Sequence, residues 1–149
     1  MEQLVIHGGA GSLEGKTTEA QKMHDSLCKI WEETFEVLQK RSAEDAVRYA
    51  VRMLEDDPVY NAGTGSKLQA DGQIRMSAAL MDGTNNRFSG VINVQNIRNP
   101  IEAAALLSGE KHSILSSAQA TEFCRTKGIP EYNPETEFRL HEYKSNCAG

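Results

Sequence analysis

Two glycine-rich segments carry the residue types that could do chemistry: His7-Gly8-Gly9-Ala10-Gly11 near the start, and Asn61-Ala62-Gly63-Thr64-Gly65-Ser66 further on. Glycines clustered after an apolar run can make a left-handed turn, let backbone approach closely, or aim amides at an anion. Gly9, Gly11 and Gly15 come near the spacing of a dinucleotide-binding turn. That unit needs a second strand ending in an acidic residue about 20 residues on, and the region around Glu32 and Glu33 reads as helix instead. His-Gly-Gly also matches the start of an oxyanion loop of the lipase type, which works with a Gly-x-Ser-x-Gly nucleophile elbow. Gly63-Thr64-Gly65-Ser66-Lys67 is one glycine short of that elbow. A tight turn without chemistry is the third reading of the first segment, and positive-φ turns are the plain reading of Asn61, Gly63 and Gly65.

The elements that must position these loops follow from periodicity. Gln3 to His7 reads as a short buried strand. From about Thr18 to Lys40, Met23, Leu27, Ile30, Trp31, Phe35 and Leu38 recur at helical spacing. Ser42 and Asp45 resemble a capping box that opens a second helix, with Ala43, Ala46, Val47, Ala50, Val51 and Leu54 on its buried face. Asp56, Asp57 and Pro58 end it. Two short strands are expected around Asp71-Gly72, and Arg87 to Asn96 reads as another strand. Asn99 and Pro100 open a helix reaching about Ser108. Ser113 to Leu115 could be a short strand and Ser117 to Lys127 a further helix. Residues 128–149 contain two prolines and read as an irregular tail.

With 149 residues, 39% hydrophobic and 25% charged, the chain suits one globular domain or part of a larger one. A net charge of −5 with scattered basic residues argues against nucleic acid. No apolar run approaches the roughly 20 residues of a membrane span. Three widely spaced cysteines (Cys28, Cys124, Cys147) suggest reduced thiols and a cytoplasmic location, and no secretory leader pattern opens the chain. A sheet of three or four strands would keep an open edge, so completion by another chain is expected.

Taken in order, His7 to Gly11, Asn61 to Gly65, Met81-Asp82-Gly83 and Arg98-Asn99-Pro100 form a set that resembles the α-subunit of the plant-type L-asparaginases, also called isoaspartyl or β-aspartyl peptidases. These belong to the N-terminal nucleophile hydrolases. Each motif alone is weak, but the ordered set is specific, and it covers Leu4 to about Lys127.

The resemblance implies an α+β fold, the four-layer αββα sandwich, with residues 1–149 as its N-terminal half and a β-subunit from the same precursor as the rest. It implies self-cleavage after Gly149, exposing a threonine nucleophile at the start of the β-subunit whose own amine is the base. His7, Gly8, Gly9 and Gly11 would lie near the scissile peptide, and Asn61 would orient the nucleophile. Main-chain carbonyls of Leu54, Glu55, Asp57, Tyr60, Ala62 and Thr64 would wrap a structural Na⁺, with no catalytic cofactor. Leu54 and Glu55 suit that role, because carbonyls at a helix C-terminus lack intrahelical partners. The assembly implied is an (αβ)2 heterotetramer that hydrolyses L-asparagine and isoaspartyl dipeptides. Ser77 stands where many relatives carry an acidic residue. A glycosylasparaginase-like enzyme, a threonine protease and a non-enzymatic anion-binding module are the competing readings.

Overall fold

The computed structural model describes residues 2–11 and 17–147. Two helices lead: α1, Thr17–Lys40, and α2, Ala43–Asp56. Ser42 caps α2 by accepting the Asp45 N–H at 3.1 Å. The capping box closes differently from its usual form. Asp45, one carbon shorter than the customary glutamate, takes the Ser42 hydroxyl at 2.8 Å rather than the backbone amide. Along α2, Ala46 and Ala50 are buried as expected, whereas Val47 stays 43% exposed. The two helices close on each other through Ile30, Ala50 and Tyr60, with Met23, Leu27 and Leu54 packed alongside.

The sheet follows. Strand β1, Met76–Asp82, pairs antiparallel with β2, Arg87–Val94, and β2 pairs parallel with β3, Ile114–Ser116. The strand order is β1-β2-β3. Asp82 fixes the β1–β2 turn by accepting the Thr84 and Asn85 amides at 2.9 and 3.3 Å. Helices α3, Pro100–Leu107, and α4, Ser117–Thr126, cover one face of the sheet. Met76, Val91 and Val94 meet Ala103, Leu107, Ala120 and Cys124 there. The opposite face presents Met81, Phe88, Ile92 and Ile114, each at least 45% exposed. The fold is therefore α+β with a small mixed sheet, apolar on both faces and covered on one.

Three expectations need correction. Residues 2–11 contain no strand, and Val5 is 91% exposed. The segment is instead tied to α1, where Trp31 Nε1 donates to the Leu4 carbonyl at 3.2 Å. A strand exists only where a partner completes its ladder, and none of the three strands pairs with it. Asp71-Gly72 makes a turn, with Gly72 at φ +76° and Gln69 N–H donating to the Gln73 carbonyl at 2.9 Å. Strand pairing begins only at Met76, so the hairpin sits one turn later, between β1 and β2. The tail is not irregular throughout, since Glu137–Cys147 forms helix α5, which also takes in Cys147. Thr136 starts it by accepting the Arg139 N–H at 3.3 Å through Oγ1 and the Leu140 N–H at 3.0 Å through its carbonyl. No helix among the described residues is long and apolar enough to cross a membrane.

Candidate active site

The C-terminus of α2 builds the site. Asp57 leaves helical geometry, and the chain loops outward before Thr64 N–H returns to the Glu55 carbonyl at 2.7 Å. That return needs glycine. A Cβ on Gly63, which has φ +49°, would sit 2.2 Å from the Glu55 carbonyl oxygen. Gly65, at φ +99°, would place one 2.7 Å from the Pro58 carbonyl oxygen. Asp57 also braces the loop, accepting Ser26 Oγ at 2.6 Å and the Val59 N–H at 3.0 Å.

The asparagine of this loop is oriented by a backbone bond. Lys67 N–H donates to Asn61 Oδ1 at 2.8 Å. An amide N–H can only donate, so Oδ1 is fixed as the acceptor and Nδ2 is left to donate elsewhere. Asn61 lines a polar cavity of about 310 Å³ together with Glu55, Ser66, Lys67, Arg75 and Ser77.

Glu55 is a residue that spacing alone did not single out for its side chain. It is 3% exposed, and its Oε1 accepts the Ile101 N–H at 3.0 Å, at the start of α3. Its Oε2 is buried without a partner among the described residues. Burial is the main cause that pushes its carboxyl up to about 8, against the opposing pull of the Ile101 N–H hydrogen bond. A signal was available in the sequence: Glu55 lies four residues beyond Val51, on the apolar stripe of α2.

The Arg98-Asn99-Pro100 motif latches α3 to the same helix end. Arg98 Nε and Asn99 Nδ2 both donate to Asp56 Oδ1, at 2.7 and 3.0 Å. Asn99 is the N-cap residue as expected, yet its side chain makes no cap bond, being committed to Asp56.

The first glycine segment meets the second through Tyr60. A Cβ on Gly8 would lie 3.0 Å from the Tyr60 ring and 3.2 Å from Leu27. Gly9 takes φ +119°, and its N–H donates to His7 Nδ1 at 3.1 Å on an exposed edge. A Cβ on Gly11 would meet nothing within 4 Å among the described residues. So Gly8 serves close packing and Gly9 a left-handed turn, while His7 does not line the cavity. Gly15 and Gly149 lie outside the described residues. Of the carbonyl set Leu54, Glu55, Asp57, Tyr60, Ala62 and Thr64, two also accept hydrogen bonds within the loop. These are Glu55 from Thr64 N–H and Asp57 from Tyr60 N–H, at 2.7 and 3.2 Å.

A family model described as Asparaginase matches residues 1–148. The chain belongs to this asparaginase family. Within the family it is 46% identical over 144 residues to an isoaspartyl peptidase/L-asparaginase of Synechocystis, covering 95% of this chain and 43% of the relative. It is 48% identical over 143 residues to the protein of that name from Nostoc, covering 95% and 45%. It is 37% identical over 145 residues to a plant-type L-asparaginase of Pyrococcus horikoshii, covering 97% and 47%. The chain thus spans less than half the length of these curated relatives. Both glycine segments and the Arg98-Asn99-Pro100 latch fall inside the matched region of the family.

Proposed function

We propose that this chain is the α half of an amidohydrolase that converts L-asparagine to L-aspartate and ammonia and cleaves isoaspartyl dipeptides. The observation that carries the reading is the Asn61 amide, held by Lys67 N–H beside a polar cavity, with its Nδ2 left free to donate. The names of the Synechocystis and Nostoc relatives, at 46% and 48% identity, support the same activity. The nucleophile is the N-terminal threonine of a β half from the same precursor, its α-amine acting as base. In this scheme Asn61 Nδ2 donates to the threonine hydroxyl oxygen and orients its lone pair toward the substrate carbonyl. Gly8 keeps the first glycine segment against Tyr60, near the peptide to be cut.

The uncovered face of the sheet supports the partner arrangement. Phe88, Ile92 and Ile114 form an exposed apolar face, and strands of the β half would cover it to complete the αββα sandwich. Two such pairs make the (αβ)2 heterotetramer. Three free thiols suit the cytoplasm. The loop from Leu54 to Thr64 fits a structural Na⁺. It leaves a helix C-terminus, whose last carbonyls lack intrahelical partners, and is closed on itself by the Thr64–Glu55 bond.

The test is to purify the full-length protein and determine the mass and N-terminal sequence of each polypeptide. Release of ammonia from L-asparagine and of aspartate from a β-aspartyl dipeptide are then assayed. A second polypeptide beginning with threonine, together with turnover of either substrate, is expected. An uncut protein without turnover would overturn the proposal. Turnover of a glycosylasparagine alone would favour the glycosylasparaginase-like reading.

A further inference from the structure

Helix α5 reaches the Asn61 loop through a buried arginine. The Arg139 side chain is only 9% exposed. Its Nε donates to the Gly65 carbonyl at 2.6 Å, and a terminal nitrogen donates to Glu142 Oε2 at 2.9 Å. The other oxygen of Glu142 accepts Lys67 Nζ at 3.0 Å. Lys67 in turn is the residue whose N–H holds Asn61 Oδ1. A second strap runs alongside, since Gly65 N–H donates to the Pro134 carbonyl at 3.1 Å.

Resting on the functional reading above, we propose that Arg139 and Glu142 are positioning residues for the reaction, acting through Gly65 and Lys67 on the Asn61 amide. Three features carry this. Arg139 engages the loop backbone and Glu142 with separate donors of one planar group, so the two contacts constrain each other. Glu142 bridges α5 and the loop with separate oxygens, and Lys67 and Arg139 both hold its carboxyl below the usual carboxylate range. The bond to Asn61 comes from the Lys67 backbone, so displacement of Lys67 carries the amide with it. Binding groups misplaced by about 1 Å can cost about 100-fold in rate.

The experiment uses the full-length protein and a double-mutant cycle. Arg139→Ala is expected to lower kcat about 100-fold with KM little changed. In an Asn61→Ala background the same substitution should cost no more than about twofold, because the residue it acts through is gone. Glu142→Ala, which leaves the Arg139–Gly65 bond in place, should lower kcat in the same direction with the same loss of effect beside Asn61→Ala. It decides the matter if Arg139→Ala does not fold. Losses that multiply in the Asn61→Ala background, or a lowered melting temperature with kcat unchanged, would overturn the positioning role and leave the functional reading standing. A wild-type protein without turnover would overturn both.

Discussion

Glu55→Gln tests whether the buried carboxyl beneath the site is neutral in the folded protein. Glutamine keeps the shape and an oxygen for the Ile101 N–H, but it cannot ionise. In the wild type, burial raises the Glu55 pKa from 4.5 to about 8. The folded state therefore holds this proton more tightly than the unfolded chain. The stability it contributes is fully present below about pH 4.5 and is lost as pH rises through about 8. At about 1.4 kcal/mol per pKa unit, the loss accumulated between pH 5.5 and 8.5 is about 3 kcal/mol. In Glu55→Gln that contribution is absent at every pH. For a full-length protein about twice the length of this chain, the melting-temperature gap between variant and wild type should widen in the variant's favour by about 3–6 °C over that interval. Scanning calorimetry of both proteins across the range reads this directly. Parallel curves would refute the reasoning, because they would mean that Glu55 titrates alike in the folded and unfolded states.

Other outcomes follow from the same geometry. Gly63→Ala should destabilise by about 3 kcal/mol, read as a lowered urea midpoint, since its Cβ would sit 2.2 Å from the Glu55 carbonyl oxygen. If the 54–64 loop holds Na⁺, replacing sodium with a bulky organic cation at equal ionic strength should lower the melting temperature. Sodium at about 100 times its dissociation constant should restore about 2.7 kcal/mol, and identical melting in both salts would count against the site.

Much of the scaffold was written locally in the chain. The 3.6-residue period marks α1 and α2, Ser42 marks the start of α2, and Pro100 marks the start of α3, because caps and amphipathic stripes depend on neighbours a few residues away. The positive φ of Gly63 and Gly65 was also foreseeable, as asparagine and glycine together signal such turns. What failed were features that depend on partners far away in sequence. Residues 3–7 have strand-like composition but find no ladder. Helix α5 has little apolar face, yet it is anchored by Arg139 on Gly65 and by Tyr143 Oη on the Ala70 carbonyl, 74 and 73 residues away.

The site divides along the same line. Sequence by itself determined which residues could act: an ordered set of glycine loops, an asparagine, and a helix end with carbonyls to spare. Only the tertiary structure decided that Lys67 N–H orients Asn61, that His7 lies off the cavity, and that Glu55 is sealed beneath it with its carboxyl pushed up. Orientation and desolvation are properties of surroundings, and the surroundings of a loop are set by whatever packs against it. Here these are the start of α3 and the side chains of α5, brought from some 40 to 75 positions along the chain.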